Sequence, residues 1–455
     1  MGSPSRTDLT LTLCAMCSSR MSYGDACDHC RRMTDEMETR TDTLLLTPFI
    51  NGRDVVMPSD TREFEVIPDT ITVPLRDLMQ APPPGKHRVS SPRSNVVIAD
   101  LPPTGQVIAL IPAHNEAETI DATIACIRAQ QLPPARIIVV CDNCHDNTAE
   151  HASIAGAEVF TSVDNTQMKA GALNQVLSWL IPTLQSHDLV AVIDADTVIS
   201  PNFFREAREY LAVNPDTGGV SGTYGGREGG GLPGWCQRNE FARWGFDSRQ
   251  QSGKAICLSG AASVFRASTL RIVRMLREAG ELPGAGIYYS TSNFTEDFEM
   301  SQAILHAGYR IRNLPAVVIT TAVKPTWKEL HVQRLRWNRG ITETLGEYGI
   351  TRHTRGMWVR WVIYTLSVFV IPLSMTLFVH QMLNGGWHLN GWLFLWLSVT
   401  AIVMIHKSVT ITATRKWSAL FALVLIFELP YDTFLHFTFL RSLWQVIRGS
   451  GKTWR

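Results

Sequence analysis

The sequence predicts an α/β protein: a doubly wound sheet of parallel strands, with a small cysteine module before it and long apolar helices after it. Three observations lead there. Strand-like runs, polar loops and helix patterns alternate from residue 106 onward, as in repeated βαβ units. Within them, Leu189–Thr197 (LVAVIDADT) closes a run of strand formers with two aspartates, as a buried strand does when it delivers carboxylates to the mouth of a sheet. The last hundred residues are far more apolar than the rest.

A chain of 455 residues is long enough for two or three units. A net charge of +1 with 18% charged residues offers no general attraction for nucleic acid, and none is expected as a partner. The N-terminus lacks the apolar core of a signal peptide, so the start of the chain is expected to stay in the cytosol. Four of the nine cysteines form the pairs Cys14-Ala-Met-Cys17 and Cys27-Asp-His-Cys30, nine residues apart. Their thiolates suit one tetrahedral structural zinc, and metal binding would supply the folding energy of so short a span, residues 1–35. A closed four-thiolate site leaves no position for water, so the module reads as docking or scaffolding. The other cysteines are expected as reduced thiols. Residues 36–103 carry no assignable chemistry, and Pro82–Pro84 with Ser90–Ser94 reads as a linker.

The catalytic-type region, 104–325, opens with a buried strand at Gln106–Pro112 running into Ala113-His114-Asn115-Glu116. A helix follows at Glu118–Gln130, with Ile120, Ile124 and Ile127 on one face. A second strand, Ile137–Val140, ends in a loop holding Asp142 and Asp146, again at the ligand-binding edge. The Cys141/Cys144 pair in that loop lacks a second ligand pair, which disfavours a metal or redox reading. Lys169 opens a helix beside Gly171, an arrangement that suits a phosphate. In an extended chain Asp194 and Asp196 point the same way, so a hard divalent cation with phosphate ligands is their natural partner. Small residues at Ser259–Ser263 allow close approach to the backbone. Thr295-Glu296-Asp297 opens another helix, with Thr295 as its expected cap and Asp297 as a candidate general base. Over 326–357, an amphipathic helix at Trp327–Leu345 sets Gln333, Arg336 and Trp337 on one face. Amide, guanidinium and indole together can hold a sugar and a diphosphate; the same helix also reads as interfacial.

In this order, PAHNE at 112–116, the Asp142/Asp146 loop, Lys169, DAD at 194–196, TED at 295–297 and QRLRW at 333–337 resemble membrane-bound family 2 glycosyltransferases. The likeness is to the synthases of poly-N-acetylglucosamine, hyaluronan, chitin and cellulose, and it runs from Gln106 to the C-terminus. It implies a Rossmann-like, A-type nucleotide-sugar domain. It also implies roles: Glu116 and Asp142 on the uridine, Lys169 on the diphosphate, Asp194 on the nucleotide or donor sugar, and Asp196 on magnesium or manganese. Asp297 would be the base that deprotonates the acceptor hydroxyl. Gln333, Arg336 and Trp337 would bind substrate, the last two closing over the diphosphate and near the acceptor end. Ser259–Ala262 departs from the commoner Gly-Thr-Gly type of sequence at that place.

Residues 358–455 read as a membrane domain of two or three spans. Trp358–His380 and Trp387–Ile405 are each close to the ~20 apolar residues a span needs. Leu420–Leu440 has similar length but contains Glu428, Pro430 and Asp432. Lys407, Arg415 and Lys416 place the end of the second segment, and the catalytic domain, in the cytosol. Three full spans would put Arg441, Arg448, Lys452 and Arg455 outside, so either the third segment is re-entrant or interfacial, or the positive-inside tendency fails. The expectation is an inverting, metal-dependent integral protein of the cell (inner) membrane. It would transfer GlcNAc or Glc from a UDP-sugar to a β-linked polysaccharide, with a homo-oligomer or accessory subunit completing a small channel. The rival is transfer of one sugar to a lipid or protein acceptor. A sugar nucleotidyltransferase would need a Gly-rich, Arg-containing loop where PAHNE stands. A dead scaffold would not need Asp196, Asp297 and Trp337.

Overall fold

The computed structural model describes residues 105–384, 391–412 and 425–449. The chain divides into two units, 1–92 and 93–455, and every described residue belongs to the second. The zinc thiolates expected at Cys14, Cys17, Cys27 and Cys30 lie outside the described residues, as does the rest of 1–104.

The first strands are β1 (Val107–Ala113), β2 (Arg136–Cys141), β3 (Glu158–Thr161), β4 (Leu189–Ile193) and the two-residue β5 (Val198–Ile199). Then come β6 (Thr217–Gly226), β7 (Ala262–Arg266) and β8 (Arg310–Thr321). They form one sheet in the order β3-β2-β1-β4-β7-β6-β8-β5. Strands β3, β2, β1 and β4 are parallel, as the βαβ alternation requires. The expectation of a wholly parallel sheet needs correction, because β7 runs antiparallel between β4 and β6, and β5 antiparallel to β8. The reversal has a structural use. With Ile193 paired to Ala262, the start of β7 lies beside the end of β4, and its preceding loop joins the carboxyl edge of the parallel strands.

Helices α1 (Ile120–Arg128), α2 (Thr148–Ile154), α3 (Met168–Leu180) and α4 (Phe203–Val213) follow β1, β2, β3 and β5. Strand residues alternate between the two faces. Ile108, Leu110, Val190 and Val192 pack with Leu173 and Leu177 of α3 on one side. Val107, Ala109, Leu189 and Ala191 pack with Ile120, Ile124 and Ile127 of α1 on the other. Both faces are therefore apolar, which explains why the β1 and β4 sequences do not alternate.

The remaining helices of the layer are α5 (Gly231–Gln250), α6 (Ala267–Glu278), α7 (Glu296–His306) and α8 (Trp327–Tyr348). Thr326 caps the start of α8: its Oγ1 accepts from the Glu329 N–H at 3.2 Å and donates to the Glu329 carboxylate at 3.0 Å. Thr295 does not cap α7; its hydroxyl donates to Asn293 Oδ1 at 3.2 Å. Gly340 of α8 lies against Thr295, where any Cβ would meet Oγ1 at 2.4 Å, so α8 presses closely on the start of α7.

Three long helices end the described chain: α9 (Arg355–Asn384), α10 (Gly391–Thr412) and α11 (Leu425–Ile447). Among the described residues no helix is long and apolar enough to cross a membrane. The spans expected at Trp358–His380, Trp387–Ile405 and Leu420–Leu440 each lie partly outside the residues whose side chains are described; the described part of α11 carries Asp432 and Arg441 with Pro430 inside it, and Lys407 lies in the last turns of α10. Side chains of α9 are nevertheless strongly apolar outward, with Val362, Ile363, Leu366, Phe369, Leu373 and Leu377 each more than half exposed.

A buried ion pair ties α6, α7 and α8 together. Arg277 Nη2 meets Glu299 Oε2 at 2.5 Å with both side chains almost inaccessible, and Tyr348 donates to Glu299 Oε1 at 2.7 Å. Removing one partner leaves an uncompensated buried charge. Glu299→Ala is expected to lower unfolding free energy by about 3–5 kcal/mol, read as a lower denaturation midpoint at unchanged m-value. An unchanged midpoint would show that the pair holds nothing together.

Candidate active site

Ten stretches of the described chain converge on a cavity of about 630 Å³ at the carboxyl edge of the parallel strands, beside β1, where the strand order reverses. At one end, Asp142 follows β2, buried and held rigidly. Its Oδ1 accepts from Ser162 Oγ at 2.7 Å, Asn165 Nδ2 at 2.7 Å and Asn143 Nδ2 at 3.2 Å. His114 Nδ1 lies 2.6 Å from the Asp142 carbonyl oxygen, and His114 also lines the cavity. Asn143 and Asn115 adopt left-handed φ values of 48° and 57°, a conformation asparagine tolerates better than most residues.

The neighbouring loop residues are structural. Asp146 accepts from Thr148 Oγ1 at 2.5 Å and from the N–H groups of Thr148 and Ala117 at 3.1 Å. The Thr148 hydroxyl holds its carboxyl below the usual range. Asp146 thus locks the loop after β1 to the loop after β2. Glu116 is not in the cavity lining; its Oε2 accepts from Thr119 Oγ1 at 2.8 Å. Cys141 is buried, and burial together with Cys144 pushes its thiol up to about 12, so it remains protonated at neutral pH. All five described cysteines are free thiols.

At the centre, Lys169 Nζ donates to Asp194 Oδ1 at 2.6 Å and to the Gly260 carbonyl at 2.9 Å, and lies 3.3 Å from Glu296 Oε1. Burial opposes its charge, but the carboxylates of Asp194, Glu296 and Asp297 outweigh that and hold its pKa above the usual lysine range. Asp194 and Asp196 do not continue the strand in extended form. They sit in a turn after β4, closed by the Thr197 N–H to the Asp194 carbonyl at 3.1 Å, and both still line the cavity. Asp196 Oδ1 accepts from Thr197 Oγ1 at a long 3.4 Å, and Arg227 donates to its backbone carbonyl. Its carboxylate is therefore much less committed than that of Asp194.

Asp297 occupies the first turn of α7, its Oδ1 accepting from the Phe298 N–H at 2.8 Å. Burial, with the Glu296 charge adding to it, pushes its carboxyl up to about 6 against the pull of Lys169, the Phe298 N–H and Arg336. Such a value suits a general base near neutral pH. Gly260 is required here, because a Cβ would meet Asp297 Oδ2 at 2.6 Å. Opposite stand Gln333, Arg336 and Trp337 of α8, all in the lining. The Gln333 Oε1 is buried with no hydrogen-bond partner among the described residues, the condition of an acceptor awaiting a ligand.

The structure thus brings together eight of the predicted residues: Asp142, Lys169, Asp194, Asp196, Asp297, Gln333, Arg336 and Trp337. Sequence reasoning missed His114, Asn165, Tyr224, Phe241, Glu296 and Lys324 as lining residues. Two of them had a signal: Glu296 adjoins Asp297, and His114 follows the first strand in the PAHNE stretch. The aromatic pair comes from β6 and α5, whose glycine-rich junction hides both elements from pattern reading.

A family model described as glycosyl transferase family group 2 matches residues 189–431, more than half of the chain. The chain belongs to that family. Its α/β domain is accordingly of the A type. This family group 2 chain is 29% identical over 242 residues to the poly-beta-1,6-N-acetyl-D-glucosamine synthases of Staphylococcus aureus (strain COL) and Staphylococcus epidermidis (strain RP62A). Each match covers 52% of this chain and 54% of the relative, so the chain spans about half the length of the curated relatives it matches. Among solved structures, the mannosyltransferase PcManGT from Pyrobaculum calidifontis, in complex with GDP-Man and Mn2+, aligns with a TM-score of 0.49 at 16% identity, covering 75% of this chain and 87% of that one.

Two outcomes follow from the geometry around Asp297. A base acts deprotonated, so kcat/KM is expected to rise with pH through about 6. Glu296→Gln, which removes a neighbouring negative charge, should move that limb to lower pH. A limb that stays in place would remove Glu296 from the Asp297 environment. Gly260→Ala should displace Asp297 and lower kcat on the order of 100-fold with the fold intact by circular dichroism; near-wild-type kcat would contradict the contact.

Proposed function

We propose that this chain is an inverting glycosyltransferase that moves a sugar, of GlcNAc or Glc type, from a UDP-sugar to a growing β-linked polysaccharide. The observation that carries the reading is one cavity holding a rigid acceptor, Asp142, at one end and a base with a near-neutral pKa, Asp297, at the other, with Lys169 and Asp194/Asp196 between them. The second oxygen of Asp142 has no hydrogen-bond partner among the described residues, and a carboxylate accepts only, which favours a base with an imino N–H such as uracil. The names of the Staphylococcus relatives favour N-acetylglucosamine as the sugar and a polymer as the product.

Among the described residues no cluster of three or more ligand side chains forms a metal cage. Magnesium or manganese fits nonetheless through Asp196, whose oxygens are nearly free, since such ions take one or two carboxylates plus substrate phosphates. The bound ion would offset charge on the leaving diphosphate. Lys169 and Arg336 add positive charge on the same side, and Asp297 accepts the proton of the acceptor hydroxyl. One base and one displacement give inversion. Lys169 reaches a diphosphate only by sharing its ammonium with Asp194 and Glu296, so it also serves to hold these carboxylates together.

The outward apolar side chains of α9 support attachment to a bilayer, with the catalytic domain in the cytosol. The spacing of Cys14, Cys17, Cys27 and Cys30 supports a structural zinc. Transfer of a single sugar to a lipid or protein acceptor uses the same chemistry and is separated by product size. Purified protein in lipid, given a panel of UDP-sugars with Mg2+ or Mn2+, is expected to release UDP with one donor and form a high-mass product. Asp297→Asn should lose both, and chelation should abolish release. Single-sugar products would favour the rival reaction, and no release with any donor and acceptor would overturn transferase activity.

A further inference from the structure

Just outside the cavity, Arg334 of α8 lies against two indoles. Its guanidinium carbon is 4.3 Å from the ring centre of Trp337 and 5.6 Å from that of Trp244 on α5, and the two rings are 6.5 Å apart. Arg334 does not line the cavity; Trp337 does. Arg334 Nη2 donates to Glu240 Oε2 at 2.7 Å, with side-chain exposures of 5% and 13%. Tyr431 of α11 donates to the same Glu240 oxygen, also at 2.7 Å. One carboxylate on α5 therefore gathers a cation from α8 and a hydroxyl from α11. Around it, Cys236, Leu330 and Tyr431 form a buried apolar cluster.

A buried ion pair is a poor device for stability, since desolvation cancels most of its attraction. It is a good device for orientation. The planar guanidinium lies along aromatic faces while its Nη2 is held by the carboxylate, a geometry lysine does not reproduce. What it orients is the aromatic wall of the cavity: Trp244 also packs on Tyr224 at 5.7 Å and Phe241 at 5.4 Å, and both of those line the cavity. Indole faces bind the apolar faces of sugar rings.

We propose that Glu240, Arg334 and Tyr431 form a positioning unit that sets Trp337, with Trp244 packed beside it outside the cavity lining, as the platform for the saccharide acceptor, and links that platform to helix α11. The proposal rests on the glycosyltransferase reading above. The three residues touch neither donor nor reacting atoms; they govern how tightly the acceptor end is held and so how long the product grows.

The test measures binding without catalysis. Full-length protein in detergent is titrated with a β-linked N-acetylglucosamine hexasaccharide by saturation-transfer NMR, and with UDP by calorimetry. The wild type is expected to bind both. Arg334→Lys and Glu240→Gln should each weaken hexasaccharide affinity about tenfold while UDP affinity stays within about twofold, and Tyr431→Phe should have a smaller effect of the same kind. Product length in the transfer assay should fall in the same rank order. Unchanged hexasaccharide affinity in Arg334→Lys and Glu240→Gln would overturn the proposal. So would a parallel loss of UDP affinity, which marks a merely structural pair, or a wild type that ignores the hexasaccharide. Hexasaccharide binding that depends on Arg334, in a protein releasing no UDP from any donor, would sink the transferase reading and leave the platform standing.

Discussion

Asp194, Asp196, Glu296 and Asp297 meet at one end of the sheet, and the ammonium of Lys169 is placed against two of them. Carboxylates so close repel one another unless a cation is shared between them. Lys169 supplies that charge from the first turn of α3, and it also bonds the Gly260 carbonyl. Three separate parts of the chain, α3, the loop before β7 and the start of α7, are thereby held around one polar centre. The lysine does not neutralise the whole cluster: burial, with the Glu296 charge adding to it, keeps the Asp297 carboxyl raised, and Asp196 keeps a nearly free carboxylate. Those two groups are the ones proposed above as the base and the metal ligand.

The antiparallel insertion of β7 makes this centre possible. In a wholly parallel sheet the neighbour of β4 would present its own carboxyl end, followed by a crossover helix. Here the start of β7 lies there instead, bringing Gly260 and Ala261 against Asp194. The absence of a side chain at Gly260 then lets Asp297 approach to a distance no other residue would permit. The buried Arg277–Glu299–Tyr348 network fixes the helix that carries Asp297 from its far side.

Helix α8 connects the catalytic centre to the terminal helices. One of its faces offers Gln333, Arg336 and Trp337 to the cavity, while His331 meets Thr438 of α11 at 2.8 Å and Trp327 packs on Phe434. Arg334 stands between these faces and is compensated by Glu240 from α5. The α8 side of the cavity and the terminal helix α11 are consequently packed together.

Much of the site was legible because its residues follow strands or open helices, where period and loop position disclose which edge they occupy. Asp142, Lys169, Asp194, Asp196 and Asp297 were found this way, and the 3.6-residue period of α8 placed Gln333, Arg336 and Trp337 together. Glu116 lies outside the cavity lining, because a carboxylate in a loop after a strand can as readily bond the start of the next helix, as it does with Thr119. Tyr224, Phe241, Arg334 and Glu240 could not be assigned locally: each owes its role to a neighbour far along the chain. By itself, then, the sequence determined the strand–helix alternation, the apolar faces and the acidic strand ends, because these arise from local periodicity and side-chain type. Only the tertiary structure decided the antiparallel place of β7, the sharing of Lys169 and the Glu240–Arg334 pairing, because each depends on which distant charges and backbones are brought into contact.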